Sequence, residues 1–375
     1  MNANALSIIF SSDSDSHLND LTYHRTVASL PFGGRYRLID FALSNLVDAG
    51  VSKVGIVAKN NYNSLMDHIR MGRDWDLNRK NSGIIIFPPF VLNTLSEMYK
   101  GKIDALYSLR NFLMSAKEEY VFLMPANVVT NVDLSLVERL HFEKKADITL
   151  LTYRANELHP RKNIIETDKD GRVVASRFAV SSEGEAELTN MGVYYLKKQL
   201  LLGLVDGAYS KGFVDFEKDI IQKSLFELRV YSCEVKNYVA VIDRIPAYFR
   251  ASMDLLNAEI REDLFYGNGS ILTKVKDSVP TRYRDNAKVV NSLIADGCEI
   301  DGTVENSILF RGVKVARGAV IKDSIVMENG HIMEGASLTF TITDKNVVVR
   351  ESCSVAGSAN YPFVVAKDKI MSNNQ

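Results

Sequence analysis

The sequence has no surplus of charge of either sign. Its 45 basic and 46 acidic residues leave a formal net charge of -1 over 375 residues. That balance argues against a dedicated nucleic-acid or membrane-surface binder, because such proteins concentrate cations. No apolar run approaches the roughly 18 residues needed to span a bilayer. The N-terminus lacks the basic stretch and apolar core of a signal peptide. Only three cysteines occur, Cys233, Cys298 and Cys353. Odd in number and far apart, they offer neither a disulfide framework nor metal-ligand spacing, and they read as small buried apolar side chains in a reducing, cytoplasmic setting. Apolar residues, by contrast, are plentiful. At 46% they are sufficient for a sizeable core, which excludes wholesale disorder, and the length accommodates one large and one smaller domain.

Another absence is local. Residues 6–10 form a short apolar run suited to a buried first strand, and Ser11-Ser12-Asp13-Ser14-Asp15-Ser16-His17-Leu18 follows it. A strand leading through a loop towards a helix is the usual address of a phosphate cradle, where backbone N–H groups converge and glycine lets them come close. This loop has no glycine and two aspartates. At an effective dielectric of about 20, two unit charges about 4 Å apart interact by roughly 4 kcal/mol, so each aspartate opposes a bound phosphate on that scale.

Up to about residue 260, strand-like and helix-like segments alternate. Residues 54–58, 120–124 and 148–151 read as buried strands. Ile39, Leu43, Leu46 and Val47 make a helical stripe, with Asp40 as N-cap and Gly50 as stop. Phe249, Met253, Leu256 and Ile260 make another. The pattern predicts an α/β domain over 1–260 with a mostly parallel sheet. Ligands of such sheets sit beyond the carboxyl ends of the strands, which places residues 11–17 and Pro125-Ala126-Asn127 on one edge. The tail differs: Leu309, Val315, Ile321, Met327 and Met333 recur every six residues, Val349 and Val355 resume the spacing, and Ile294 and Ile300 keep it in another phase. Such a period fits a β-helix over 286–375, with one aliphatic side chain per face pointing inward. Residues 261–285 read as the connection.

Leu21-Thr22, Arg25 and the run Pro31-Phe32-Gly33-Gly34-Arg35-Tyr36-Arg37-Leu38-Ile39-Asp40-Phe41-Ala42-Leu43-Ser44-Asn45 closely resemble the pattern of the ADP-glucose pyrophosphorylase (glucose-1-phosphate adenylyltransferase) family. Met191-Gly192-Val193-Tyr194, Asp215-Phe216-Glu217-Lys218-Asp219-Ile220 and the hexapeptide tail follow in the family's order. The resemblance implies a nucleotidyltransferase domain fused to a left-handed β-helix. It also implies, for active members, synthesis of ADP-glucose and pyrophosphate from ATP and glucose 1-phosphate for glycogen, by tetramers.

The departures are systematic. The family's G-G-x-G-x-R-L loop is residues 12–18 here, without its glycines and arginine. In the R-A-K-P segment Arg25 remains, but Val27 replaces the lysine and Ala28 the proline. The metal-binding G-D becomes Ala126-Asn127, and the second metal-binding aspartate aligns with Val241. The E-K-P segment, whose lysine holds the sugar phosphate, aligns with Phe178-Ala179-Val180. By resemblance, catalytic groups are therefore lost at Asp13, Asp15, Val27, Asn127, Ala179 and Val241. Mg²⁺ sites of this kind need anionic oxygens, so no cofactor is expected in this chain and Mg²⁺ only in a catalytic partner. A residual sugar-nucleotide pocket is expected from Tyr99, Gly101 and Asp104, although Asp104 equally suits capping of the following helix. His24, Arg25, Arg35 and Arg37 match positions where relatives bind sugar-phosphate effectors. Arginine serves two readings there, an anion site for a phosphorylated sugar or phosphate, or ion pairs at a domain or subunit boundary.

Together these features resemble the GlgD-type, non-catalytic partner of the catalytic subunit. The expectation is a cytoplasmic, catalytically silent regulatory subunit that joins a catalytic homologue in a hetero-tetramer, without nucleic-acid or membrane partners. Two other readings stay open: an active nucleotidyltransferase with displaced catalytic groups, and a scaffold that does not modulate its partner.

Overall fold

The computed structural model describes residues 4–11, 17–59, 61–79, 82–88, 99–155, 162–179 and 186–373. The first strand, Ala5–Phe10, lies between Tyr120–Pro125 and Lys53–Val57 and runs parallel to both, and Gly83–Phe87 continues the parallel half of a nine-stranded sheet. The other half is mixed. Glu187–Lys197 enters antiparallel beside Tyr120–Pro125 and also pairs with Ile148–Ala155 and with the hairpin Lys162–Thr167/Val173–Ala179.

Period-two alternation explains why both faces are covered. Leu6, Ile8 and Phe10 join one apolar cluster with Ile103 and Leu106 of the helix Lys102–Ser108 and Leu201 and Val205 of the helix Lys198–Ser210. Ala5 and Ile9 join a second with Ile39, Leu43 and Leu46 of the helix Leu38–Asp48. That stripe is the predicted one, but Asp40 is not the N-cap. It sits one turn in, and its Oδ2 accepts the Arg37 N–H at 2.9 Å. The stripe Phe249 to Ile260 divides between two helices, Ile245–Asp254 and Ala258–Tyr266, because the Asn257 side chain accepts the Glu259 N–H at 2.9 Å and starts the second. The expected connection 261–285 therefore begins as helix. Its middle lies on the first domain, where Lys274 Nζ donates to Asp67 O at 2.6 Å, and its end is already β-helix, since Arg282–Tyr283 pairs with Glu299–Ile300. Among the described residues no helix is long and apolar enough to cross a membrane.

The tail is a left-handed β-helix with three parallel faces. Leu309, Val315 and Ile321 point into its core as the six-residue period predicts, but Met327 and Met333 do not. The core positions are Val326 and Ile332 instead. Thr303 pairs with Val320 and Val320 with Ser337, so the coils of this middle stretch take 17 residues and one of their three steps is five. Met327 turns outward and packs with Tyr248, Phe249, Phe32 and Phe41, in the core that joins the β-helix to the first domain.

The helix Leu134–Glu143 packs His141 against the sheet, where Nδ1 lies 2.9 Å from Thr149 Oγ1. Burial lowers its pKa from the ordinary 6.5 to about 4, with Asp147 opposing and Lys197 and Arg229 reinforcing the shift. The fold thus accepts the neutral ring, and the unfolded chain binds the proton more readily. His141 stabilises fully above pH 6.5, and the contribution is lost as pH falls towards 4. Urea midpoints should decline across that window, and His141→Gln should flatten the decline. An unchanged slope in that variant would assign the decline to other groups.

Candidate functional site

Beyond the carboxyl ends of the parallel strands lies a cleft of about 480 Å³. Two neighbouring strands bring the predicted edge together: Phe10 pairs with Pro125, and Ala126 N donates to Phe10 O at 3.0 Å. Asn127 then meets the second aligned metal position across a two-stranded sheet in which Val128 pairs with Val241. The fold thus juxtaposes these two positions, and both line the cleft. Asn127 Nδ2 donates to Ile242 O at 3.0 Å while the Asn127 backbone carbonyl accepts the Ile242 N–H at 2.8 Å. The Val241 side chain has no donor atom. An amide turned to a carbonyl and an alkyl side chain do not fit Mg²⁺, which takes anionic oxygens. Among the described residues no group of three His, Cys, Asp or Glu side chains is placed to hold a metal ion.

Other walls of the cleft carry groups that the sequence reading passed over. Lys102 Nζ lies 2.7 Å from Glu217 Oε1, which also accepts the Tyr194 hydroxyl at 3.3 Å. Burial pushes the Glu217 carboxyl up, but the charge and hydrogen bond of Lys102 outweigh it and hold the pKa below the ordinary value. Asn190 donates to the Tyr194 hydroxyl at 2.7 Å and accepts the Gly192 N–H at 2.8 Å. Gly192 needs its φ of +75° to make this turn. Asp243 also faces the cleft and pairs with Arg244 at 3.1 Å. Asn163 is 9% exposed; its Oδ1 accepts the Ser176 hydroxyl at 2.7 Å, while its Nδ2 has no partner among the described residues. An unmet buried donor costs about 1–3 kcal/mol.

Of the expected residual pocket, Gly101 lines the cleft, and a Cβ there would meet Val214 O at 2.4 Å, so a side chain is excluded. Tyr99 is buried in the sheet core. Asp104 is not the N-cap, which is Gly101; it lies in the first turn of the helix and accepts the Lys100 N–H, from ahead of the helix, at 3.1 Å. Val27 is buried in the core that joins the domains. Asp13 and Asp15 lie outside the described residues, and Ala179 is described in its backbone alone.

The chain matches the nucleotidyl transferase family over residues 6–257 and the GlmU-like C-terminal hexapeptide family over residues 277–360. It is 32% identical over 351 residues to the glycogen biosynthesis protein GlgD of Bacillus subtilis (strain 168), covering 93% of this chain and 92% of the relative. It is 31% identical over 355 residues to a glucose-1-phosphate adenylyltransferase of Desulfitobacterium hafniense (strain Y51), covering 93% and 89%. The chain belongs to the glucose-1-phosphate adenylyltransferase family. The GlgD protein of Geobacillus stearothermophilus is 34% identical over 321 residues, covering 86% of this chain and 84% of its own.

The four cations expected for an effector in this adenylyltransferase-family chain have separate settings. Arg25 is 3% exposed; Nη2 lies 2.8 Å from Asp344 Oδ1 of the β-helix, and Nη1 donates to Leu21 O at 3.2 Å. Arg37 donates to both Ser64 O and Ser64 Oγ at 2.8 Å. Arg35 is exposed, with its guanidinium 5.7 Å from the Tyr36 ring centre, and exposed His24 meets Tyr23 edge-on. For Arg25, the boundary alternative is the geometry observed. Next to this pair is a groove of about 560 Å³ lined by Lys276, Arg311, Lys345 and Lys367, with Asp296 and Glu328 among them. Burial raises the Glu328 carboxyl, but Lys345, paired with it, and then Lys276 and Arg37 bring it below its ordinary value.

Proposed function

We propose that this chain is a catalytically silent, cytoplasmic subunit of a glucose-1-phosphate adenylyltransferase of glycogen biosynthesis, acting on a catalytic homologue in a hetero-tetramer. The observation that carries this reading is the juxtaposition of Asn127 and Val241 on one wall of the cleft, where neither presents a carboxylate. Nucleotidyl transfer depends on positioning and on neutralising phosphate charge. A partner without that equipment contributes by favouring one conformation of the catalyst, a coupling typically worth about 1–3 kcal/mol. Two relatives named as glycogen biosynthesis proteins support the glycogen part of this reading. Any Mg²⁺ belongs to the catalytic partner.

The groove of Lys276, Arg311, Lys345 and Lys367 is the proposed seat of a phosphorylated-sugar or phosphate effector, with Arg25 and Arg37 near enough to act on Lys345 through their charge. The test is pyrophosphate release by the catalytic homologue alone and mixed with this chain, with and without fructose 1,6-bisphosphate. Mixing is expected to change the rate about 5- to 100-fold, and the bisphosphate to alter that change. Co-elution with no change in rate would establish a scaffold and reject the regulatory role. A bisphosphate that leaves the mixed rate untouched would reject the groove as an effector site.

A further inference from the structure

The groove between the β-helix and the strap of residues 276–279 already holds an anion of its own. Glu328 lies just beyond the strand Ile325–Val326, fixed between neighbouring coils: its backbone O accepts the Asn346 N–H at 3.0 Å, and Asn329 N donates to Arg311 O at 3.0 Å. Its carboxylate is paired with Lys345 and lies 3.8 Å from Lys276 Nζ. The Glu328 and Lys345 side chains are 17% and 18% exposed. Asp296, on the rim, stands 4.0 Å from Arg311 Nε, which has no hydrogen-bond partner among the described residues. Lys345 depends on the Glu328 carboxylate. Burial lowers the pKa of the ammonium, Glu328 opposes that shift, and Arg37 and Arg25 reinforce it. Without the carboxylate, a mostly enclosed lysine among cations would be left uncompensated, a state that a bound anion relieves. The preceding residue ties the pair to the domain joint, because Asp344 Oδ1 accepts both the Lys345 N–H at 2.7 Å and Arg25 Nη2 at 2.8 Å.

We infer that Glu328 is a tethered competitor for the groove: an anionic ligand enters by displacing its carboxylate from Lys345 and Lys276. The inference rests on the reading of the groove as an anion site and adds how that site is restrained from within. The cations are open to a ligand only in the fraction of molecules whose Glu328 has left them, and the apparent affinity is reduced by that fraction. Neutralising Glu328 removes the restraint without adding any contact.

Isothermal titration of the full chain tests it, with fructose 1,6-bisphosphate and inorganic phosphate as separate ligands. Glu328→Gln keeps the side-chain shape, removes the charge and should tighten binding of both at least about tenfold. Adding Lys345→Ala to that variant should abolish the gain, since the lysine receives the anion. Glu305→Gln removes an equal charge from the strand Thr303–Glu305, where Glu305 pairs with Lys322 at 3.5 Å, and should bind as the parent does. If Glu328→Gln fails to fold, Glu328→Asp, whose shorter side chain draws the carboxylate back, should give a smaller gain in the same direction. Equal affinity in the parent and Glu328→Gln, lost in Lys345→Ala, would keep the anion site and overturn the competitor. A gain shared by Glu305→Gln, or one that survives Lys345→Ala, would also overturn it, by assigning the effect to overall charge or to another site. No saturable heat from the parent or Glu328→Gln up to about 10 mM of either ligand would reject the groove as an anion site, and the competitor with it.

Discussion

Assayed alone with ATP, glucose 1-phosphate and Mg²⁺, the chain is expected to release pyrophosphate at least about 10⁴-fold more slowly than a catalytic homologue. One missing electrostatic element typically costs about 10²–10³ in rate, and the proposed silence rests on several such losses, which do not simply multiply. The structure also sets a limit on repair. Asn127 is a clamp, because its Nδ2 ties the cleft wall to Ile242 O. Asn127→Asp would turn a carboxylate towards that carbonyl and should lower stability by about 1–3 kcal/mol. Asn127→Asp/Val241→Asp should therefore stay near background, and recovery should require the loop glycines and the lysines at 27 and 179 as well. Parent activity within about tenfold of a catalytic homologue would reject silence. An Asn127→Asp variant as stable as the parent would reject the clamp.

Asp344→Ala is expected to lower unfolding free energy by about 3–5 kcal/mol, among the largest single-residue effects outside the hydrophobic core. The reason lies at the joint between the domains. Arg25 and Asp344 are 3% and 1% exposed and 2.8 Å apart. Removing the carboxylate leaves a guanidinium enclosed by the core that includes Leu21, Tyr248 and Ile342. Arg25→Met/Asp344→Leu should cost far less than Asp344→Ala, because it buries no charge. Denaturant unfolding of the three variants measures this. An Asp344→Ala loss below about 1 kcal/mol would show that the guanidinium finds water or another anion. The same pair bears on regulation, since an effector competing for Arg25 must first displace Asp344.

Particular residues show how far the sequence was legible. The strands that build the cleft were readable because their apolar runs are short, buried and bounded by turn residues. Asn127 and Val241 were recognisable as altered positions by resemblance, and the tertiary structure then placed them side by side. The six-residue period of the tail was real but broke after Ile321, because a 17-residue coil shortens one step in three. That shortened step turns Met327 outward, and periodicity alone cannot reveal what it then meets. Glu217 and Asn190 lay in or beside motifs that marked the family, so a signal existed. Glu328 had none, since its place between Lys345 and Lys276 exists only in the stacking of the coils and the path of the strap.

The sequence by itself determined the two kinds of domain and the edge on which the cleft lies, and its resemblance to the family marked positions 127 and 241. The domains and the edge follow from local hydrophobic patterning, which needs no partner to be read. Tertiary structure decided the rest: that Arg25 is locked to Asp344, 319 residues away, that Asn127 holds Ile242, and that Glu328 meets Lys345. Contacts between distant segments depend on strand register and domain packing, and neither is encoded in the residues taken a few at a time.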